Sequence, residues 1–336
     1  MKTRVTIKDL ARILKVSTST VSRALKDHPD ISKETKEQVN KLAKELKYKP
    51  NAIALSLRSK HSNIIGVIIP QIVHHFFSSV ISGIEDVANK SGYHVMICQS
   101  NESFRREVMN VQALYSSRVD GVLVSMSKET QTYNHFKDII NGGTHVVFFD
   151  RICDEIDTDR VVVDDEKGAY DATKYLIETG CKNISHLSAS QHMLIGRKRR
   201  KGYEKALKKY NLSINEDLIR KCDNYDDALK ITKELLESST PPDGVFAVND
   251  LTALGAMKAI KDQGLKIPED VSVIGFTDGL VSQVSDPKLS TVEQHGYQIG
   301  QKSMEILLKR IKDDIDDFTP ITEIIKTNLV IRESTK

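Results

Sequence analysis

The character of this sequence changes near residue 60, and that change limits the folds open to it. Residues 1–60 carry fifteen Lys and Arg against six Asp and Glu, a net charge of +9, and show only short helical patterns. Since the whole chain carries +3, residues 61–336 carry −6, and there strand-length apolar runs alternate with helical stretches. We therefore expect a small cationic head that binds a polyanion and a larger α/β body that binds something else.

Two short helices are predicted at the start of the chain. Residues 7–14 and 18–25 each repeat apolar side chains at helical spacing behind a hydroxyl residue that can cap the helix. The apolar side of the second helix is predicted to pack on Leu10 and Ile13. The side chains that remain on its outer face are Thr18, Ser19, Ser22 and Arg23. This pattern predicts a helix-turn-helix, a motif whose second helix enters the major groove of DNA.

The cationic part of the chain ends in a segment with two possible states. A third helix is predicted over residues 32–46, with Ser32 as its cap. Pro50 then opens a helix-compatible stretch, residues 50–58, and proline suits the first turn of a helix. A helix of about eight residues is not stable alone in water. Residues 50–60 are therefore either a linker or a helix that forms only against a partner.

The body is predicted to contain two doubly wound lobes. Strand-length apolar runs occur at residues 64–69, 93–98, 121–124, 145–149, 161–163, 184–187, 244–248 and 271–276. Helical stretches lie between most of them, such as residues 77–90, 166–178, 199–210, 228–236 and 251–263. Alternation of this kind predicts parallel sheets covered by helices on both faces. Eight strands exceed what one lobe usually holds, so we place a break near residues 159–161. A helix at 297–310 and apolar pieces at 321–326 and 328–331 could close one lobe each.

Membrane and secreted classes are not indicated. The longest apolar stretch, residues 64–69, is far shorter than the ~18 residues of a spanning helix, and no apolar signal core opens the sequence. The cysteines lie far apart with no C-x-x-C pair, which favours reduced thiols in a cytoplasmic protein. They are Cys98, Cys153, Cys181 and Cys222.

Enzymes and metal proteins are not indicated either. The motifs G-x-G-x-x-G, G-x-x-x-x-G-K-[ST], H-E-x-x-H and G-x-S-x-G do not occur, so we expect no catalytic residues and no cofactor. His74 and His75 are adjacent, but neighbouring side chains diverge and no Cys or acidic partner is near in sequence. No metal site is therefore expected.

Several runs of this sequence together identify a family. The head contains VTIKDLA at 5–11, VSTSTVSRAL at 16–25 and YKPN at 48–51. The body contains GVIIP at 66–70, FF at 76–77, FDR at 149–151, ND at 249–250 and VIGF at 273–276. In this order, and over nearly the whole chain, they resemble the lactose-repressor/galactose-repressor (LacI/GalR) family of bacterial transcription regulators. One departure is Lys15, where the family usually has glycine, and a left-handed conformation there would cost on the order of 1 kcal/mol.

The resemblance implies which residues touch DNA. It assigns base contacts to Thr18, Ser19 and Arg23, and an arginine bidentate to guanine discriminates by ~1–3 kcal/mol. Thr20 and Ser22 are expected to touch phosphate, which fixes register without reading sequence, or to pack within the head.

The resemblance also gives residues 50–60 a role as a hinge helix. It implies that Leu57 wedges between base pairs in the minor groove, with Asn51 and Arg58 contacting the same DNA. An ordinary packing role for Leu57, or wedging by Leu55 instead, stays open.

In the second lobe, the resemblance places a small-molecule effector against three residues. At 100° per residue Arg199 lies near the centre of the buried face of its helix, so it needs an acceptor, either the effector or an internal carboxylate. Of the pair Asn249-Asp250, the resemblance makes Asn249 the ligand-facing member and leaves the helix cap to the other. The family usually has an acidic residue at the position of Thr277; either Asp278 substitutes for it, or the site favours a ligand that needs one fewer carboxylate.

In the first lobe, the expected effector contacts have structural alternatives. Phe76 and Phe77 are either core residues or a platform for the ligand. Arg151 follows a strand near the lobe junction together with Asp150, as does Asp165, and a crossover salt bridge is the alternative to a ligand contact there.

The expected organisation follows from these patterns and the resemblance. Residues 1–49 would form the helix-turn-helix domain, residues 50–60 the hinge or linker, and residues 61–336 an effector-binding and dimerisation domain like the type I periplasmic binding proteins. Its first lobe would contain residues 61–160 and 293–320, and its second lobe residues 161–292 and 321–336.

The expected function is sequence-specific regulation of transcription, most simply repression. A cytoplasmic, nucleoid-associated homodimer would bind double-stranded operator DNA, and a small effector such as a sugar would alter its affinity by binding between the lobes. The alternatives are an activator or corepressor-dependent regulator of the same fold, a free solute-binding protein and an α/β enzyme.

Overall fold

The computed structural model describes residues 5–48, 61–312 and 319–336. The chain divides between Ser62 and Asn63 into two units, here called the head and the body. Three residues expected to bind DNA, Asn51, Leu57 and Arg58, lie outside the described residues.

The described residues of the head form three helices, α1 (Ile7–Leu14), α2 (Thr18–Leu25) and α3 (Lys33–Glu45). They pack around Leu10, Val21 and Val39, which are fully buried. Ser17 caps α2 by accepting a 3.0 Å hydrogen bond from the backbone of Thr20. Lys15, in the turn between α1 and α2, has φ of 54°. This is the left-handed conformation considered above for a position where the family usually has glycine.

One packing prediction for the head was wrong. Ile13 is 52% exposed, and Leu14 packs against the head core in its place. Leu10 and Leu14 are four residues apart and therefore lie above one another on the same face of α1, whereas Ile13 is turned toward solvent.

Over residues 61–312 and 319–336, the body contains two six-stranded sheets, which define its two lobes. The first sheet is parallel throughout and has the order β11-β5-β4-β3-β1-β2. Its strands are β1 (Ile64–Ile69), β2 (His94–Gln99), β3 (Gly121–Val124), β4 (His145–Phe149), β5 (Asp159–Val163) and β11 (Thr322–Ile325). The second sheet has the order β12-β10-β9-β8-β6-β7, with β12 antiparallel to β10. Its strands are β6 (Ile184–Ser188), β7 (Ile219–Lys221), β8 (Gly244–Ala247), β9 (Ser272–Thr277), β10 (Ser290–Glu293) and β12 (Asn328–Val330).

Helices cover both sheets, so the predicted fold class is confirmed. The first lobe has α4 (His75–Lys90), α5 (Phe104–Ser116), α6 (Asn134–Asn141) and α12 (Gly296–Lys312). The second lobe has α7 (Asp165–Glu178), α8 (Leu194–Lys209), α9 (Tyr225–Leu236), α10 (Asp250–Asp262) and α11 (Leu280–Val284). Among the described residues, none of these helices could cross a bilayer.

Two glycines allow α4 and α12 to approach each other closely. A Cβ on Gly83 would lie 2.1 Å from the carbonyl oxygen of Tyr297, and one on Gly300 would lie 2.0 Å from that of Val80. No side chain larger than hydrogen fits at either crossing point, so these glycines set the distance between the helices.

The lobe boundaries differ from those expected. Strand β5 lies in the first sheet between β4 and β11, with Val147 opposite Asp159 and Thr322 opposite Arg160. The chain therefore enters the second lobe only after Val163. Residues 322–325, expected in the second lobe, belong to the first lobe together with α12. The apolar run at 161–163 marks a strand, but pairing in either sheet would bury it equally well, so its pattern does not reveal which sheet it joins.

Some elements begin earlier than predicted or carry little apolar signal. Helix α8 begins at Leu194, not at residue 199. Strand β10 includes Ser290 and Thr291, fully buried residues whose hydroxyl groups hydrogen-bond to Thr335 and Asp250. Because these partners satisfy the hydroxyls, a central strand can be buried without reading as an apolar run.

Candidate functional site

The outer face of α2 is the candidate DNA-binding surface of the head. Thr18, Ser19 and Arg23 are exposed, whereas Thr20 and Ser22 are half-buried. The hydroxyl of Ser17 contacts those of Ser19 and Thr20 at 2.6 and 2.8 Å, so the polar side chains of the first turn are already ordered. Their roles toward DNA stay predictions, but their positions leave the three base-reading candidates accessible.

The candidate effector cleft lies between the lobes, where the carboxyl ends of the parallel strands carry polar residues, as ligand sites of such sheets do. Asp150 follows β4 with φ of 58°, Thr277 ends β9 with φ of 143°, and Asp278 has φ of 59°. None of these residues is glycine, so each costs on the order of 1–3 kcal/mol of backbone strain. Strain of this size is held in place by the surrounding contacts and is typical of functional loops.

Arg199 is buried in α8, and three contacts hold its guanidinium group. Its Nε donates to Asp165 Oδ1 at 2.8 Å, and Nη1 donates to the backbone carbonyl of Val248. The guanidinium carbon lies 3.6 Å from the centre of the Phe276 ring. The remaining nitrogen, Nη2, is buried without a hydrogen-bond partner. The internal salt bridge considered for Arg199 is therefore present, and one donor is still available for a ligand.

Two buried carboxyl groups face this arginine. Burial raises the pKa of Asp165 to about 6, although the neighbouring Arg199 opposes that rise. Burial also raises the pKa of Asp150, again against the effect of Arg151 and Arg199. Asp150 accepts hydrogen bonds from the Ser125 hydroxyl at 3.3 Å and from the Gln294 amide at 3.5 Å. The cleft thus contains acidic groups that are costly to ionise.

The roles of Asn249 and Asp250 differ from the expected ones. Asn249 caps α10 through its Oδ1, which accepts from the Thr252 backbone at 2.9 Å, and its Nδ2 donates to the Asp223 carbonyl at 3.0 Å. Asp250, expected to be the cap, is buried and accepts from the Thr291 hydroxyl and the Gly279 backbone at 2.6 and 2.8 Å. Both polar ends of Asn249 therefore already have protein partners.

Asp278 is engaged within the second lobe. Its carboxylate lies 2.7 Å from Arg332 Nη2 and accepts a 2.8 Å hydrogen bond from the Ser282 hydroxyl. Thr277, at the position where an acidic residue was expected, donates to Gln294 Oε1 at 2.9 Å. The Arg332 contact brings residues more than fifty positions apart together, so no local sequence signal could have revealed it.

In the first lobe, the residues expected to contact the ligand all have partners within the protein. Phe76 and Phe77 are 8% and 3% exposed and belong to the body core, with ring centres 5.2 Å apart. Arg151 forms a salt bridge, as considered, but to Glu102, where Nη1 donates to both carboxylate oxygens at 2.9 and 2.8 Å. Its Nε is 3.9 Å from Asp150, a much longer approach.

Within the described part of the chain, no three His, Cys, Asp or Glu side chains lie close enough together to hold a metal ion. His74 Nε2 hydrogen-bonds to Gln71 Oε1 at 2.7 Å instead. The described cysteines are free thiols, and three of the four are buried.

Two protein-family models match this chain, one over each unit. The head matches the model of "Bacterial regulatory proteins, lacI family" over residues 6–51. The body matches the model of "Periplasmic binding proteins and sugar binding domain of LacI family" over residues 62–330.

Curated relatives match along almost the full length. The ribose operon repressor of Halalkalibacterium halodurans is 35% identical over 98% of this chain and 97% of its own. The repressor PurR of Vibrio atlanticus is 35% identical over 92% of each chain. Catabolite control protein A of Priestia megaterium is 31% identical over 99% of each.

Solved structures share the fold. A Lac repressor dimer bound to operator and an anti-inducer superposes with a TM-score of 0.85 over 99% of both chains, at 24% identity. A LacI family transcriptional regulator from Enterococcus faecium with bound ribose has a TM-score of 0.72 at 27% identity, over 81% of this chain and 98% of that one.

Proposed function

Because this chain belongs to the lacI family of bacterial regulatory proteins, we propose that it is a transcriptional repressor whose affinity for operator DNA is set by a small effector. The observation that carries this proposal is the match of one family model to the head and another to the body. Relatives of the same length and about one-third identity are repressors. Family membership also makes the protein a regulator and not an enzyme, and places it in the cytoplasm, where we propose it associates with the nucleoid.

The head would read one operator half-site. Thr18, Ser19 and Arg23 stand exposed on one face of α2, and residues 1–60 carry a net charge of +9. Positive charge supplies affinity for the phosphate backbone, and the exposed side chains of α2 would supply specificity by contacting base edges. Asn51, Leu57 and Arg58 would add minor-groove contacts from the hinge.

The body would join two copies of the chain. Val73, before α4, is 82% exposed, and Val284, in α11, is 70% exposed. Ile72 and Leu280 are exposed beside them. The two segments are neighbours, since a methyl group on Gly279 would lie 3.7 Å from Cβ of His75. An exposed apolar patch of this kind marks an interface, and a second copy would pair two heads over a near-palindromic operator.

The cleft would take an uncharged, hydroxyl-rich ligand such as a sugar. Among the described residues around it, each of four cations lies within 3.0 Å of a carboxylate: Arg151 with Glu102, Lys128 with Asp223, Arg199 with Asp165 and Arg332 with Asp278. No unmatched positive charge is left among these four for a phosphate group. The free donor on Arg199 and the acceptor on Asp150 suit hydroxyl groups. Ribose, named for two of the similar proteins, is the first sugar to test.

Two measurements on the purified full chain test this function. Selection of genomic fragments at moderate salt should enrich one near-palindromic sequence over random DNA. A thermal-shift screen of monosaccharides, beginning with ribose, should raise the melting temperature with one of them and change the affinity for the selected fragment. If no sequence is enriched, with or without cell extract, the repressor function is refuted.

A further inference from the structure

We infer that Lys128 is a positioning residue that joins the two lobes across the cleft, so that it sets how easily the body opens. Its Nζ lies 3.0 Å from Asp223 Oδ1, and its backbone carbonyl accepts a 2.6 Å hydrogen bond from His192 Nε2. Lys128 belongs to the loop after β3 in the first lobe, whereas Asp223 and His192 follow β7 and β6 in the second. One residue therefore bridges the lobes by its side chain and its backbone.

The first lobe holds Lys128 firmly. Its backbone N–H donates to Glu102 Oε2 at 2.9 Å, and Glu102 is paired in turn with Arg151. The preceding residue, Ser127, donates its N–H and its hydroxyl to Glu107 at 2.7 and 2.9 Å. Glu107 is fully buried in α5, so the loop cannot shift without breaking hydrogen bonds to a buried carboxylate.

The second lobe positions the two partners through its own hydrogen bonds. The Asp223 carbonyl accepts from Asn249, the residue that caps α10. His192 Nε2 donates to the Lys128 carbonyl, because a carbonyl oxygen only accepts, and its Nδ1 lies 2.8 Å from the Ser190 hydroxyl. A continuous series of contacts thus runs from β4 through Arg151, Glu102, Lys128 and Asp223 to α10.

A cavity lies between the lobes beside this contact. Its volume is about 290 Å³, and it is lined by Thr130 and Tyr133 of the first lobe and His192 and Arg197 of the second. The second interlobe ion pair in this region, Arg197 with Asp154, is long at 4.0 Å, and both side chains are more than half exposed. The Lys128–Asp223 pair is better shielded, at 32% and 18% exposure, so salt screens it less.

The consequence is a bias on the equilibrium between closed and open lobes. Contacts made only in the closed form favour that form, and a ligand that needs both lobes binds more weakly when the closed form is less populated. The bridge thereby tunes effector affinity without touching the ligand. This consequence rests on the proposed function, whereas the bridge itself does not.

The test uses the full chain without DNA or ligand, so its result is independent of the proposed function. Lys128→Met and Asp223→Asn each remove the ion pair. We expect each to raise amide exchange in residues 125–131 and 189–194 by about fivefold and to increase the radius of gyration in X-ray scattering. Lys302→Met is the matched control, because it removes an ion pair with Glu305 on the surface of the first lobe alone.

A charge exchange separates the ion pair from a general loss of packing. The double variant Lys128→Asp/Asp223→Lys should return exchange and scattering at least halfway to the values of the unmodified protein. Unchanged exchange in both single variants, an equal rise in the control, or no recovery in the double variant would each overturn the inference.

Discussion

Arg199 and Asp165 form a buried ion pair at 2.8 Å in which the arginine keeps one unpaired donor, Nη2. A buried arginine normally uses all its donors, because an unsatisfied one costs free energy. The stacking on Phe276 and the bond to Val248 hold the group in a single orientation, so the free nitrogen has a defined direction. This arrangement is suited to receiving a ligand oxygen.

Replacing Arg199 with lysine should weaken effector binding while leaving operator affinity unchanged. Lysine preserves the positive charge beside Asp165, so the carboxylate is not left unpaired, but it cannot supply the forked donors. We expect a loss of roughly tenfold or more in affinity for the sugar identified by thermal shift, as measured by calorimetry. Arg200→Lys is the control, since Arg200 pairs with Glu204 and Glu216 on the surface. Equal losses of sugar and operator binding would refute the assignment.

Replacing Asp250 with asparagine should stabilise the body near neutral pH. Burial raises the pKa of the Asp250 carboxyl to about 6, well above its ordinary value, against the hydrogen bonds from Thr291 and Gly279. The folded chain therefore binds this proton more tightly than the unfolded chain, and stability falls as pH rises from about 4 to about 6. Asparagine has no such cost: its Oδ1 can accept from the Gly279 backbone while its Nδ2 donates to the Thr291 hydroxyl, so the gain above pH 6 is as much as ~3 kcal/mol.

Denaturant unfolding of both proteins at pH 4 and pH 7 measures this difference. The variant should exceed the unmodified protein only at the higher pH. A variant that is less stable at both values would show that the ionised carboxylate of Asp250 is required by the fold.

Replacing Arg23 with alanine should reduce operator binding far more than binding to random DNA. Arg23 is exposed on α2, and its nearest carboxylate, Asp30, is 3.9 Å away, a loose contact that DNA can displace. Loss of a bidentate base contact would cost ~1–3 kcal/mol of discrimination. Fluorescence anisotropy with both DNAs at one salt concentration measures the ratio. A parallel loss on both would mean that Arg23 contacts only phosphate.

Replacing Val284 with aspartate should dissociate the homodimer. Burying a charge in an apolar interface is costly, and Val284 lies in the exposed patch shared by α11 and the segment before α4. Sedimentation equilibrium should detect a monomer. Ile324→Asp is the control, because Ile324 is exposed on β11, at the edge of the first sheet opposite β2. Equal dissociation by both variants, or by neither, would argue against the patch as the interface.

Local pattern was sufficient for most elements and for some site residues. The described helices of the head, the eight body strands that begin from apolar runs and the buried position of Arg199 all follow from spacing along a single segment. The left-handed conformation of Lys15 was considered only because the resembling family usually has glycine there, and it is present. These features depend on residues within a few positions of one another, where periodicity and capping determine the conformation.

The sequence by itself therefore determined the division into head and body, the alternating strands and helices, and the side of α8 on which Arg199 lies. Only the tertiary structure decided that β5 and β11 join the first sheet, that Asn249 and not Asp250 caps α10, and that Lys128 meets Asp223 across the cleft. The physical reason is range. Strand β11 pairs with β5, Asp250 bonds to Thr291 and Gly279 and so leaves the cap to Asn249, and Lys128 meets Asp223, each across a long stretch of sequence. The packing of the lobes decides which of several chemically suitable groups come within hydrogen-bond distance.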